Sequence, residues 1–330
     1  MESRRTFIKT IGKGAALTTI AASSTAGYAY QLFTGPAQEL KPLRVGIIGA
    51  ENSHTIGFGR MFNIEKKFPD AEVKYVWGET EEFARNAADK GNIPHIVKDP
   101  LEMLGNIDAL IVDHRHAKYH LQAATPFIME GIPTFIDKPF CYRAAEGEAF
   151  LELARKYGTP FTSYSTIAYS ASTFDMREQV ASLGKINQVV RTGPVEMDSR
   201  YGGIFFYGVH IVQPLMYMFG ENIHRVRVTR NGQTGSANLV YNNGLFVTLI
   251  LKNIANVWET FVETEEGLIE LRSRVEESDP AICYTDMVEM FRTGKEPRSH
   301  ESILNCVRVL EALEKSVDSQ EWEETGITVS

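Results

Sequence analysis

From Leu43 onward, short apolar runs alternate with longer segments whose apolar residues recur at helical spacing. The runs Leu43–Gly49, Val73–Trp77, Ala109–Asp113, Pro133–Asp137 and Pro160–Tyr164 are apolar on successive positions, the pattern of strands buried on both faces of a parallel sheet. Between them, His54–Phe68, Glu81–Lys90, Lys118–Glu130 and Ala145–Lys156 read as amphipathic helices. Gly131 and Gly158 stand where such helices end. Strand and helix in alternation predict a doubly wound α/β domain of Rossmann type over residues 43–164.

Past residue 165 the texture changes. HRVRVTRNG, SANLVYNNG, LFVTLILKN, WETFVETEEG and LIELRSRV are strand-like runs separated by Asn-Gly, Glu-Gly or polar turns. With a further strand at Lys185–Arg191 they predict a β-meander, accompanied by helices at Val209–Phe219 and Glu301–Asp318. Residues 165–330 are therefore expected to form an α+β domain with an open, mainly antiparallel sheet.

The first residues follow a different rule. SRRTFIK, Ser3 to Lys9, places a basic pair before a weakly apolar, Ala/Thr-rich stretch that reaches the small residues Gly27-Tyr28-Ala29. This is the order of a twin-arginine signal over residues 1–29, and the stretch is too short and polar to span a bilayer stably. Location outside the cytoplasm, in the periplasm or beyond, is the expectation, with the twin-arginine export machinery as a partner. That machinery carries folded proteins.

Composition narrows the chemistry. A net charge of −8 gives no basic excess for phosphate backbones, so nucleic acid is not an expected partner. Cys141, Cys283 and Cys306 are odd in number and widely spaced, which argues for buried thiols and against disulfides or a zinc knuckle.

Four segments in order carry a resemblance. RVGIIGA is a first strand and turn; HLQAATPFIMEGIPTFIDKPF runs from His120 to an Asp137-Lys138-Pro139 motif; GVHIVQPLMYMFG holds His210 on a helix; FRTGKEP follows near the C-terminus. The chain resembles the glucose–fructose oxidoreductase/inositol dehydrogenase/MocA family from residue 43 onward. The resemblance implies a Rossmann domain binding NAD or NADP, an open-sheet domain, hydride transfer to or from a sugar, cyclitol or polyol, and a homo-oligomer. It makes Lys138 and His210 the catalytic residues, Lys138 orienting a hydroxyl and His210 passing its proton. The implied cofactor contacts are Gly49, Ala50, Asn52, Ser53, His54, Glu79, Asp113 and Lys138, with His114, His116, His120 and Tyr207 around the substrate.

The departures are as informative. The second and third glycines of a G-x-G-x-x-G turn are Glu51 and His54, and only glycine lets a backbone approach a pyrophosphate so closely. Like charges at about 4 Å repel by roughly 4 kcal/mol at an effective dielectric near 20. The acid that would close the second strand is displaced from Gly78 to Glu79, with no arginine after it, which favours NAD over NADP. The acid one turn before His210 is replaced by Phe206, and a second, three residues after it, by Gln213, so His210 is expected to be a weaker base. Asp113, His114, His116 and His120 crowd one loop; a polar pocket rim without metal is the expectation, with His116 and His120, at i and i+4, as the alternative metal ligands. A cofactor-free or metal-assisted carbohydrate hydrolase or lyase, and a non-catalytic ligand-binding subunit, stay open beside the oxidoreductase.

Replacing Arg4 and Arg5 together by Lys should hold the protein in the cytoplasm, because the export machinery reads the guanidinium pair. Fractionation and immunoblotting check this. Mature protein outside the cytoplasm in the double variant would refute the signal.

Overall fold

A computed structural model describes residues 42–253, 257–276 and 279–328. The twin-arginine segment lies outside the described residues. Six strands form the first sheet: β1 (Leu43–Ile48), β2 (Ala71–Trp77), β3 (His95–Ile96), β4 (Ala109–Val112), β5 (Thr134–Ile136) and β6 (Phe161–Thr162). Their order is β3-β2-β1-β4-β5-β6 and every pair is parallel. Strand alternation explains why the runs are apolar throughout. Val45, Ile47, Ala109 and Ile111 enter one core, while Ile48, Leu110, Val112 and Ile136 enter the other. β3 was not legible, since it is two exposed residues at the sheet edge.

Four helices cover this sheet: α1 (Ser53–Gly59, continuing as a π-helical stretch Arg60–Ile64), α2 (Glu81–Gly91), α3 (His120–Met129) and α4 (Ala144–Tyr157). Asn52 caps α1 and Thr80 caps α2, each accepting a backbone amide. The strand order reverses between β1 and β4. At that reversal the carboxyl ends of β1, β4 and β5 open a crevice, the place where such sheets hold ligands.

The second sheet contains β7 (Ile186–Pro194), β8 (Ile223–Asn231), β9 (Thr234–Tyr241), β10 (Phe246–Lys252), β11 (Glu259–Thr264), β12 (Gly267–Leu271) and β13 (Glu323–Glu324), in the order β12-β11-β7-β10-β9-β8-β13. It is open and mainly antiparallel, but it is not a simple meander. β8, β9 and β10 are consecutive neighbours, whereas β7 inserts between β10 and β11 and pairs with β10 in parallel. Helices α5 (Ala171–Ser182), α6 (Phe205–Phe219), α7 (Thr285–Thr293) and α8 (His300–Ser319) accompany it. α5 escaped the apolar pattern because its most buried residues are Thr173 and Asp175. α7 did carry a signal, Met287, Met290 and Phe291 at helical spacing, and these side chains fill the core of the first sheet. The C-terminal segment thus returns to the Rossmann layer, and Glu314 of α8 binds Tyr142 and Arg143 beside α4. Cys141 and Cys306 are buried and Cys283 half-buried.

One close packing fixes how α1 meets α2. A β-carbon added at Gly59 would lie 2.6 Å from the Gly91 Cα and 2.8 Å from its carbonyl oxygen, both backbone atoms. At Gly57 of the same helix nothing lies within 4 Å. Gly57→Ala should therefore stabilise the fold by up to about 1 kcal/mol through helix propensity, whereas Gly59→Ala should destabilise it by about 1–3 kcal/mol through overpacking. Chemical denaturation of the pair checks this, and equal effects would refute the packing argument.

Candidate functional site

The first turn is held by backbone geometry before any ligand is considered. Gly49 has φ +111°, and a β-carbon there would press on the Asp113 carbonyl and the His114 amide at 2.6–2.7 Å. The glycine is required by the approach of β1 to β4. The next two amides, Ala50 and Glu51, both donate to Glu79 Oε2 at 2.9 Å. Position 78 cannot hold this acid. A β-carbon at Gly78 would meet Ala84 N at 2.8 Å and Ala50 Cβ at 2.9 Å, so the carboxylate comes from the next residue. Burial opposes the charge of Glu79, but the His114 Nδ1 contact at 2.8 Å and the turn amides outweigh it and hold its pKa at about 2.

Behind the turn lies a buried polar cluster. Asn52 Nδ2 donates to Asp113 Oδ1 at 2.8 Å and to Asp137 Oδ2 at 3.3 Å, and Thr55 Oγ1 lies 2.5 Å from Asp113 Oδ2. His54 Nδ1 is 3.0 Å from Asp137 Oδ2, and Lys138 Nζ is 3.9 Å from the same oxygen. Both aspartates are buried. Burial and the neighbouring Asp137 push Asp113 well above the carboxylic range. Burial also opposes ionisation of Asp137, yet the nearby His54 and Lys138 prevail and lower its pKa. Of the two, Asp137 is the one favoured as the anion. Among the described residues, His54, Asp113 and Asp137 are the one group with three ligand atoms within 4.8 Å of one another. Ser53 is exposed at the start of α1.

The second domain supplies the other wall. His210 on α6 has its Nδ1 2.7 Å from Ser165 Oγ, and Gln213 Oε1 accepts the Ser165 amide at 2.6 Å. Burial first, then the charges of Lys138 and His54, push the His210 pKa well below that of free imidazole. The direction is the one the missing carboxylate implies. Phe206 offers its ring face instead, 5.7 Å from Lys138 Nζ and 5.3 Å from Arg115 Cζ. Tyr207 packs on His210 with ring centroids 5.7 Å apart. Lys138 and His210 are both only 9% exposed, so they are more enclosed than residues of an open cavity wall.

Three loop histidines separate in the structure. His114 is buried beside Trp77 and pairs with Glu79. His116 stands between Tyr119 and Tyr142, its Nδ1 accepting the Lys118 amide. His120 is fully buried, with Nδ1 2.9 Å from the Pro139 carbonyl and Nε2 2.8 Å from that of His114. Burial lowers its pKa to about 4, and both ring nitrogens face carbonyl oxygens. That leaves His120 no lone pair directed at a metal, so the His116/His120 ligand pair does not form. Helix spacing alone misled here, because His120 is turned into the loop it staples.

Residues that pattern reading passed over close the crevice. Tyr201 donates to Glu51 Oε1 at 2.7 Å, Arg200 Nη2 lies 3.2 Å from the same oxygen, and Arg115 stacks 4.4 Å above the Tyr201 ring. Ser165, just past the carboxyl end of β6, had a positional signal; the loop of Arg200 and Tyr201 had none.

These contacts test the turn against a dinucleotide. The amides of Ala50 and Glu51 converge on an oxyanion, which is what a pyrophosphate needs. The Glu51 carboxylate is drawn towards Tyr201 and Arg200. Glu79 stands at the end of β2 where ribose hydroxyls are received. The donor set fits the group, on condition that Glu79 yields the two amides it holds.

Residues 43–165 match the model of the Gfo/Idh/MocA family, described as an oxidoreductase family with an NAD-binding Rossmann fold. A search of curated proteins finds no match. Among solved structures, GenD2 from gentamicin A biosynthesis in complex with NAD is similar with a TM-score of 0.73 at 14% identity, covering 88% of this chain and 97% of that one. Myo-inositol dehydrogenase from Lactobacillus casei, in complex with NAD(H) and myo-inositol, gives 0.71 at 15% identity over 87% and 98%. An oxidoreductase from Agrobacterium radiobacter, in complex with NAD+, L-tartaric acid and magnesium, gives 0.68 at 12% over 87% and 99%. At such identities the likeness is one of fold.

The lowered Glu79 pKa has a sign. Its contribution to stability is fully present above the carboxylic value of 4.5 and is lost as pH falls towards about 2. The melting temperature of the wild type should therefore fall further across that window than that of Glu79→Gln. A variant that tracks the wild type at every pH would remove Glu79 from the turn.

Proposed function

We propose that this chain, which belongs through residues 43–165 to the Gfo/Idh/MocA oxidoreductase family, transfers hydride between NAD(P) and a sugar-, cyclitol- or polyol-like alcohol. The observation that carries the reading is the approach of Lys138, just past β5, to the helix of His210: its Nζ lies 5.7 Å from the ring of Phe206, one turn before the histidine, and it shares a small cavity with Val209 and Gln213 of α6. When bound, the nicotinamide supplies the hydride acceptor or donor. The turn amides of Ala50 and Glu51 would hold its pyrophosphate, and Glu79, ionised and without a following arginine, would receive a ribose with free hydroxyls, which favours NAD. Lys138 directs its ammonium at the reacting oxygen and stabilises the developing alkoxide. His210, anchored at Nδ1 by Ser165, presents Nε2 to the hydroxyl proton. Enclosure by Phe206 and Tyr207 keeps bulk water from that proton.

Export belongs to the same proposal. A folded protein carried by the twin-arginine route takes its cofactor with it, and outside the cytoplasm that cofactor is regenerated in place by a second substrate. The outward face of the second sheet, with Ile250 40% exposed, supplies a surface for a homo-oligomer. A second reading, metal-assisted hydrolysis or elimination, is favoured by one observation, the His54–Asp113–Asp137 group.

Lys138→Met and His210→Gln should each lower kcat by about 10²–10⁴-fold. Because the His210 pKa is depressed, the imidazole stays unprotonated below pH 6.5, so kcat/KM should hold through that pH and fall only on further acidification. Protein purified from the cytoplasm and denatured should release nicotinamide nucleotide. Absence of nucleotide together with no binding of added NAD or NADP would overturn the oxidoreductase. A metal found instead, and lost on His54→Ala, would put the second reading in its place.

A further inference from the structure

We propose that the substrate is an anionic polyol, most simply a sugar acid, whose charged group is received by Arg191 at the far end of the cavity beside His210. The inference rests on the oxidoreductase reading for its hydroxyl end and goes beyond it in naming the substrate class. The cavity has a volume of about 820 Å³, ample for a small ligand. Neither Lys138 nor His210 lines it, but two of its wall residues neighbour the histidine. Trp258 lines it with its ring centroid 6.3 Å from that of His210, and Thr166 lines it next to the Ser165 that anchors the histidine.

Arg191 forms part of the wall and is 1% exposed, among the largest fully buried side chains. Its Nη1 donates to Thr260 Oγ1 at 2.6 Å, while its Nε has no partner. Burial lowers its pKa only to about 10, so it is a cation at neutral pH. Charges enclosed in protein are ordinarily paired. Among the described residues this one has no carboxylate in ion-pair reach, and burial alone accounts for its shift.

The acids nearby do not answer it. Strand register pairs Arg191 with Thr260 and Thr260 with Leu271, which puts these three side chains on one face. Glu259 pairs with Thr192, and Glu270 with Phe261, so both acids alternate away from Arg191 along their strands, and although both line the cavity each is held by another cation. Glu259 is bound to Lys252 at 3.2 Å and Glu270 to Arg272 at 2.6 Å. Asp175 of α5 is taken by Arg274 at 2.5 Å. The phenol of Tyr284, pushed up by burial, brings no anion at neutral pH.

The other contributions to the field have the opposite sign. α5 points its N-terminus at the cavity, with Ser170, Ser172 and Thr173 lining it and Ser170 as the cap. A buried cation lacking its counter-charge, an aligned helix N-terminus and a row of hydroxyls form one anion-receiving end. The planar guanidinium suits a carboxylate, and a phosphate ester shares the same chemistry. Lys138 and His210 then meet a hydroxyl at the other end of the same molecule.

Titration calorimetry of the purified full chain, with and without saturating NAD, tests this using gluconate, glucose 6-phosphate and myo-inositol. Gluconate should bind at least tenfold more tightly than myo-inositol, and added salt should weaken it. Arg191→Met should cost gluconate at least tenfold and leave myo-inositol unchanged. Should that variant fail to fold, Ser172→Asp places a negative charge at the same end and should weaken gluconate alone. Tighter binding of glucose 6-phosphate than gluconate would overturn the carboxylate assignment in favour of a phosphate ester. Equal affinities for gluconate and myo-inositol, or no binding of either anion, would overturn the anion site. Gluconate binding that depends on Arg191, without change in nicotinamide absorbance for any of the three, would uphold the anion site while removing hydride transfer.

Discussion

Two aspartates end neighbouring parallel strands, and neither reaches solvent. Asp113 follows β4 and Asp137 follows β5, so sheet spacing alone brings their carboxyl groups together in a medium that penalises even one negative charge. The surroundings resolve the conflict by dividing the two. Asn52 bridges them with one amide nitrogen, and Thr55 approaches Asp113, whose pKa burial and the neighbouring Asp137 raise. Asp137 ionises because His54 and Lys138 flank it. The position of the lysine at the centre of the site is thus tied to an anion that the fold itself forces into place.

Seen from that pair, the unusual first turn is consistent with itself. A glycine at position 54 would leave Asp137 without the His54 Nδ1 that lies 3.0 Å from its Oδ2. A glycine at position 51 would leave Tyr201 and Arg200 without their acceptor, so the loop that roofs the crevice would lose its tie to the Rossmann domain. Glu79 fills the anion nest of the turn. Each departure is paired with a partner, which is the behaviour expected when local choices agree with the whole. The consequence for a dinucleotide is thermodynamic: its pyrophosphate competes with an internal carboxylate for the same two amides.

Much of the Rossmann half was legible because strands buried on both faces must be apolar throughout, and β1, β4 and β5 are. The pairing of β7 was hidden, since a parallel neighbour distant in sequence leaves no turn signal. Lys138 and His210 were found through a motif and a strand end. His114 and His120 were visible as residues but not as roles, because their partners, Glu79 and two backbone carbonyls, come from elsewhere in the chain. Arg191 was read simply as the end of a strand. Its significance is that, among the described residues, Thr260 and the Trp258 ring meet its guanidinium and no carboxylate does, which is a three-dimensional fact.

Phe206 completes the logic of the site. A carboxylate there would compete with Asp137 for Lys138 and would raise the basicity of His210 through its negative charge. The ring does neither. It gives the lysine and Arg115 a polarisable face and adds no negative charge beside His210, whose pKa burial first, then the Lys138 charge, push down. Glu51, Glu79 and Asp137 bring their carboxylates to the first turn and the strand ends behind it, where Lys138 lies 3.9 Å from Asp137, whereas Arg191 is buried in the second domain. For the anionic substrate we propose, Arg191 would draw the negative group towards the second domain and the carboxylates of the turn would repel it, so charge would favour one orientation before any hydroxyl is recognised.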